Sequence, residues 1–168
     1  MKNIKTTLLV LFTFFSISLV NAQEKPKSPA EKATGTINGA TIQINYGSPS
    51  VRERKIWGEL VPFDQVWRAG ANEATTFETD KDLTIEGSKL PAGKYSFFII
   101  PNKTECVIIF NKIAKQWGAY KYDEKEDQLR VKVKPQTAGT KVEKLIYNIN
   151  AKNITLSWDD WVVGFKVK

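Results

Sequence analysis

Short runs in which apolar and polar residues alternate recur along most of this chain. In residues 41–46 the apolar positions are Ile42, Ile44 and Tyr46, and residues 128–134 repeat the pattern. Because side chains alternate between the two faces of a β-strand, such runs predict strands with one face buried and the other in water. Similar runs, bounded by Gly, Pro, Asn or Asp, lie at residues 75–79, 82–86, 141–150, 153–158 and 161–167.

Two further runs, 94–100 and 104–111, are apolar almost throughout and predict central strands that are buried on both faces. No apolar stripe of helical period extends beyond about two turns, and we expect one short helical turn near 62–67, where a proline opens the segment. Asp159 and Asp160 are expected to form a tight turn between the last two strands. The sequence therefore predicts an all-β fold, a single antiparallel β-sandwich or jelly-roll-like domain of about eight or nine strands.

The N-terminus has the features of a secretory signal peptide. Lys2 and Lys5 precede an apolar run at 8–20, and small residues suited to cleavage stand just before Gln23. The run is shorter than the roughly 20 residues of a transmembrane helix. We therefore expect residues 1–22 to be removed, which leaves no stable membrane span.

The segment 23–33 follows this expected cleavage site. It is polar, contains prolines and has no apolar period, which predicts a flexible spacer. The folded domain is then expected to cover residues 34–168 of an exported protein, either periplasmic or extracellular.

The chain contains no histidine and a single cysteine, Cys106. Ser-His and Cys-His nucleophile pairs are therefore excluded, as are metal sites built from histidine and cysteine. Cys106 lies in an apolar run, which predicts an inert buried thiol. We expect no cofactor and no metal, and any catalysis would have to come from carboxylates, lysine, tyrosine or arginine.

The charge pattern argues against a nucleic-acid partner. The formal net charge is +7, but the lysines are spread among acidic residues, as on solvated strand faces. The densest acidic run, 123–127, lacks the glycine and the ligand alternation of a calcium loop, so it predicts a solvated hairpin tip.

The segment 67–75 carries the most concentrated side-chain chemistry. Trp67 offers a stacking face, Arg68 a planar donor fork, and Asn72 and Glu73 hydrogen bonds to hydroxyls or amides. Two interpretations are open. The segment forms a ligand site, or it is a rigid corner in which the arginine and the glutamate pair and the tryptophan belongs to the core.

Two aromatic groups extend the candidate site. Arg54 and Trp57 either bind an anionic or sugar ligand, or the arginine stem simply covers the indole at the surface. Trp117 and Tyr120 follow the expected central strands and form either a platform for sugar rings or a loop that closes one end of the sandwich.

Several ordered motifs resemble the DUF2911 family, which is found in exported proteins of Bacteroidota-type bacteria. They span most of the chain after the expected signal and comprise Tyr46-Gly-Ser-Pro-Ser50, Arg54-Lys-Ile-Trp-Gly-Glu-Leu-Val-Pro62, Val66-Trp-Arg-Ala-Gly-Ala-Asn-Glu-Ala-Thr75, Leu90-Pro-Ala-Gly-Lys-Tyr95, Ile100-Pro101 and Trp117-Gly-Ala-Tyr-Lys-Tyr-Asp123. The resemblance implies an exported β-rich domain. It implies no activity and supplies no catalytic residues.

Three functions remain open from the sequence. The first is a module that binds a small polar or carbohydrate ligand. The second is a hydrolase that uses a carboxylate pair such as Glu73 and Asp123, provided that the fold brings the two within about 5–10 Å. The third is a structural protein of the cell envelope. Because no catalytic motif is present, binding is preferred over enzymatic activity. The candidate ligand-binding residues are Arg54, Trp57, Trp67, Arg68, Asn72, Glu73, Trp117 and Tyr120.

Overall fold

The computed structural model describes residues 27–168, which form an all-β fold with a single turn of 3-10 helix, as the alternation predicts. The strands are β1 (Ala30–Ile37), β2 (Ala40–Gly47), β3 (Thr75–Thr79), β4 (Leu83–Ile85), β5 (Ser88–Leu90), β6 (Gly93–Ile100), β7 (Cys106–Asn111), β8 (Asp127–Val133), β9 (Gln136–Ile149) and β10 (Asn153–Lys166). The 3-10 turn is Glu124–Glu126. The helical turn of the described region therefore lies within the acidic run 123–127.

Six strands form one antiparallel sheet in the order β1-β2-β3-β6-β7-β8. Strand β2 shows how the sequence produces it. Its apolar residues Ile42 and Ile44 are buried, whereas the alternate residues Gln43 and Asn45 are only half-buried on the outer face. The central strands β6 and β7 are buried on both faces, as their continuous apolar runs predict.

The second layer is built from the long β9–β10 hairpin and the short β4–β5 hairpin. The two are joined because Thr84 and Lys168 exchange backbone hydrogen bonds of 2.7 and 2.9 Å. Apolar side chains from both layers form one continuous core, as in a β-sandwich. Its largest fully buried members include Trp158, Phe77, Phe97 and Phe110.

The prediction of a tight turn at Asp159 and Asp160 is wrong. Strand β10 runs through both residues without reversing, and the register with β9 shifts on either side of Asp159, whose φ is 52°. A bulge therefore accommodates the acidic pair inside one strand. The chain reverses earlier, where the Asn150 N–H donates to the Asn153 carbonyl at 2.9 Å.

The prediction of a helical turn at residues 62–67 is also wrong. Asp64 has a φ of 60°, outside the right-handed helical region, and its N–H donates to the Pro101 carbonyl at 2.9 Å. Trp67 and Ile99 exchange backbone hydrogen bonds of 2.8 and 2.9 Å. The segment therefore makes a turn at Phe63 and Asp64, and Trp67 then pairs with β6 at Ile99, beyond the Thr75 end of β3.

Strand β1 begins at Ala30, inside the segment 23–33 that was expected to be a spacer. All of its residues pair with β2, from Ala30 opposite Gly47 onward. Most of its side chains are exposed, so the sequence carries no apolar alternation that would reveal the strand. The expected signal peptide, residues 1–22, lies outside the described residues. Within 27–168, no helix has the length and apolar character needed to cross a membrane.

Gly47, at the end of β2, provides a test of how closely the sheet contacts the segment 67–75. A Cβ atom at this position would lie 2.3 Å from the backbone oxygen of Ala71. Because backbone atoms cannot rotate away, Gly47→Ala is expected to lower the free energy of unfolding by about 1–3 kcal/mol, measured by urea denaturation.

Gly139→Ala is the matched control, because Gly139 in β9 has no neighbour within 4 Å of an added Cβ. We expect the control to equal or slightly exceed the wild-type stability. Equal stability of the two variants would contradict the close packing of β2 against this segment.

Candidate functional site

The segment 67–75 is a rigid corner, fastened by hydrogen bonds to both layers. The carbonyl of the fully buried Ala69 accepts from the Tyr147 hydroxyl at 2.7 Å and from Thr75 Oγ1 at 3.0 Å. The Ala71 N–H donates to the Gly47 carbonyl at 3.1 Å. Gly70 permits this approach, because a Cβ there would lie 2.8 Å from Thr75 Oγ1.

Trp57 and Trp67 belong to a cluster of tryptophans that packs the corner against the second layer. Trp57 stacks on Trp161 with ring centroids 4.7 Å apart, and Trp67 stacks on Trp158 at 6.0 Å. The rings of Trp57 and Trp67 meet edge-on at 5.6 Å. Trp57 is buried, so both indoles contribute to packing at this end of the sandwich.

The two predicted arginines are not on a shared surface. Arg54 donates to the backbone carbonyls of Val51 and Ser50, at 3.0 and 2.6 Å, and so holds its own loop. Arg68 is half-buried, and a Cβ on Gly118 would lie 3.3 Å from its Nη1 atom. Within residues 27–168 it forms no ion pair with Glu73, so the pairing considered from the sequence is not observed.

A groove with a volume of about 1150 Å³, here called the main groove, opens on the outer face of the six-stranded sheet. Its floor includes the outward residues Asn45 and Thr76, which share a 3.3 Å hydrogen bond. One wall is β1, and the other is formed by the corner and the loop after β7. The charged and polar lining residues are Glu31, Lys32, Asn45, Asn72, Glu73, Thr76, Lys94, Lys115 and Gln116, with Trp117 beside them.

Trp117 stands exposed on a well-fixed base. Its side chain is 63% exposed, whereas the preceding Gln116 is 7% exposed. The Gln116 Nε2 donates to the Ile113 carbonyl at 2.9 Å and to Asn111 Oδ1 at 3.2 Å. The Gln116 carbonyl accepts the Ala74 N–H at 2.9 Å, which ties this loop to the corner. The backbone that carries the indole is therefore fixed, although the ring itself is not packed in the core.

A second hollow of about 310 Å³ lies on the other side of Trp117. It is lined by Ile113, Lys115, Gln116, Trp117, Tyr120 and Lys121. Tyr120 is 83% exposed, so two aromatic rings are accessible along this loop. Because Lys115, Gln116 and Trp117 line both cavities, Trp117 separates the main groove from the second hollow.

The acidic run 123–127 is held by local contacts. The Asp123 carboxylate accepts the Lys125 N–H at 3.0 Å, and the Asp127 carboxylate accepts from the Tyr122 hydroxyl at 2.6 Å. Burial raises the pKa of the Tyr122 phenol, and the hydrogen bond to Asp127 raises this pKa further. Within residues 27–168, no group of three or more acidic or thiol side chains is arranged to hold a metal ion.

The predicted residues therefore divide into two sets. Asn72, Glu73 and Trp117 line the main groove, and Tyr120 lines the second hollow. The remaining ones, Arg54, Trp57, Trp67 and Arg68, line neither cavity.

The carboxylate pair proposed from the sequence is not assembled on one wall. Asp123 lines neither cavity, and the second acid of the main groove is Glu31 in β1. Sequence reasoning missed Glu31 together with the floor residues Asn45 and Thr76. The outward positions of the alternating strands could have indicated the floor, whereas Glu31 lies in the strand that carried no alternation.

Substitution of Tyr147 tests the hydrogen bond that holds the corner 67–75 against the second layer. Burial raises the pKa of its phenol well above the ordinary value of 10.0. Tyr147→Phe removes the hydrogen bond to Ala69 and is expected to cost about 0.5–1.5 kcal/mol of unfolding free energy near neutral pH. Above about pH 10 the unfolded state releases this phenolic proton first, so the wild type loses stability as the pH rises. The variant lacks that loss, and its slope should be shallower by up to about 1.4 kcal/mol per pH unit.

Urea unfolding followed by tryptophan fluorescence, from about pH 7 to about pH 11, measures both quantities. Tyr120→Phe, at a position that is 83% exposed, is the control and should follow the wild type throughout. An alkaline slope of Tyr147→Phe identical to that of the wild type would contradict the burial of this phenol.

A comparison with known protein families gives a match. Residues 28–167 match the family model described as "Protein of unknown function (DUF2911)", which confirms the resemblance seen in the motifs. No curated protein and no solved structure matches the chain. Since the family model covers nearly the whole sequence, the chain belongs to the DUF2911 family.

Proposed function

We propose that this protein is an exported module that binds a hydroxyl-rich ligand, of which an oligosaccharide is the best match, in the main groove. The observation that carries the proposal is the exposure of Trp117. Its indole is 63% exposed at the groove wall while its base is fixed by Gln116.

An indole in this position adds little to the stability of the fold. The tryptophan cluster and the core are complete without it, since Trp57, Trp67, Trp158 and Trp161 contact one another elsewhere. A flat apolar ring next to polar groups is suited to a ligand with one apolar face and many hydroxyls. Sugar rings have this character, because their C–H groups stack on aromatic rings while their hydroxyls point outward.

The other lining residues complement such a ligand. Asn45, Asn72 and Thr76 supply amide and hydroxyl groups that both donate and accept, and Glu73 supplies an acceptor. The groove volume of about 1150 Å³ exceeds the usual range of about 300–1,000 Å³ for small-ligand pockets. This size favours several sugar units over a single monosaccharide. The expected export would bring the protein into contact with polysaccharides of the envelope or the surroundings.

A carboxylate-based hydrolase is the second candidate. It would rest on Glu73, which lines the main groove, because Glu31 lies opposite Tyr46 in the β1–β2 register and so points to the other face of the sheet from Asn45 and Thr76. Glu73→Gln separates the two functions, since a hydrolase would lose turnover of the saccharide while a binding module has no turnover to lose.

Trp117→Ala tests the proposal. Because a central tryptophan often contributes about 2 kcal/mol or more to a binding interface, we expect the affinity for a bound oligosaccharide to fall about thirtyfold. A glycan array identifies ligands, and titration calorimetry measures their dissociation constants. Thermal unfolding should be nearly unchanged, because the side chain is exposed.

Leu60→Ala is the matched control, since Leu60 is 45% exposed and lines neither cavity. It should bind like the wild type. The proposal would be abandoned if no saccharide bound the wild type, or if Trp117→Ala bound as tightly as the control.

A further inference from the structure

The second hollow carries charge of one sign. Among residues 27–168, those that line it include Lys115 and Lys121 and no acidic side chain. Neither lysine forms an ion pair within the described part of the chain, whereas the neighbouring Lys112 pairs with Glu126 at 3.4 Å. The main groove differs, because Glu73 accompanies its lysines. Of the two cavities, the second hollow is therefore the more favourable one for an anion.

The hollow also has the shape and the apolar surface of a binding site. Ile113, Trp117 and Tyr120 line it together with the two lysines, and each of these three side chains is at least 47% exposed. A negatively charged group bound there would be attracted by both lysines, while the ring that carries it could lie against an aromatic face.

Trp117 joins the hollow to the main groove, so one ligand can reach both cavities. A saccharide that stacks on Trp117 from the groove would place a neighbouring unit or substituent beside Lys115 and Lys121. The positive charge of the hollow would then favour a negatively charged substituent.

Gln116, between the two cavities, adds an independent observation. Its Nε2 is oriented by the Ile113 carbonyl, which can only accept, so Oε1 points the other way. This Oε1 is buried and has no hydrogen-bond partner within residues 27–168. Leaving a buried acceptor unpaired is unfavourable, and a ligand hydroxyl that reached this oxygen would satisfy it.

We propose that the second hollow is the subsite for an anionic substituent of the bound saccharide, the carboxylate of a uronic acid or a sulfate ester. This inference rests on the function proposed above and names the chemical class of its ligand. The exposed aromatic rings and lysines also have the composition of a membrane-binding loop. The saccharide is favoured because the surface is concave and adjoins the main groove through Trp117.

The experiment compares matched β-1,4-linked hexasaccharides of mannose, glucose and galactose. Each is offered in three forms: neutral, oxidised to the uronate at C6, and sulfated at O6. Calorimetry at about 20 mM and about 200 mM NaCl measures affinity and its dependence on salt. We expect an anionic form to bind more tightly than its neutral partner, with an advantage that shrinks at the higher salt concentration. The uronate and sulfate forms show which anion is preferred.

Lys121→Gln, at a position that lines the second hollow and not the main groove, should weaken binding of the anionic form about two- to fivefold and leave the neutral form unchanged. Lys125→Gln is the control, because Lys125 is exposed on the adjacent 3-10 turn and lines neither cavity. Its affinity for the anionic form should equal that of the wild type.

The possible failures are distinguishable. If neutral forms bind through Trp117 but anionic forms gain nothing, the anionic subsite is refuted and the proposed function stands. An equal loss of affinity in Lys125→Gln would likewise refute the subsite, since any nearby charge would then suffice. If no saccharide binds but vesicles containing anionic phosphatidylglycerol do, in a manner that requires Trp117 and Lys121, both proposals are overturned.

Discussion

The buried carbonyl of Ala69 is the junction on which the candidate site depends. It accepts hydrogen bonds from Tyr147 in β9 and from Thr75 in β3, so it joins the second layer, the corner 67–75 and the six-stranded sheet. The corner in turn holds the loop after β7, because the Ala74 N–H donates to the Gln116 carbonyl. Through these contacts the exposed indole of Trp117 is positioned by residues deep in the core.

The tryptophans fall into two groups, those packed in the core and the exposed Trp117 of the proposed binding site. Four of the five tryptophans contact one another at one end of the sandwich. Trp158 is 1% exposed, and removing such a ring would cost about 3–5 kcal/mol. Trp117 is the exception, since its ring faces the cavities. The sequence does not distinguish a buried tryptophan from an exposed one here, because a tryptophan near a glycine is compatible with a packed corner and with an open platform.

The sequence predicted the fold better than the site, and the reason lies in the range of the interactions involved. Alternation is local, so strands such as β2 and β8 could be derived from their own residues. The bulge at Asp159 and the positive φ of Asp64 depend on partners distant in the sequence, and both were misassigned. The cavities also depend on contacts between residues that are distant in the sequence. Glu73 lies opposite Trp117 because the corner 67–75 pairs with the loop after β7.

The fixed base of the loop after β7 makes the exposed face of this loop suitable for the proposed binding. Ordering a flexible side chain on association costs about 0.5–1.5 kcal/mol, and ordering a loop costs more. Here the base of the loop is already fixed by the two N–H donors of Gln116 Nε2, which lie within hydrogen-bond distance of Ser96, Asn111 and Ile113, and by the pairing with the corner. Lys115 and Trp117 flank Gln116, so their backbone positions are set before any ligand arrives. A ligand that contacted both cavities would therefore spend little free energy on ordering the backbone of this loop, and this is the physical basis of the proposed discrimination among saccharides by charge.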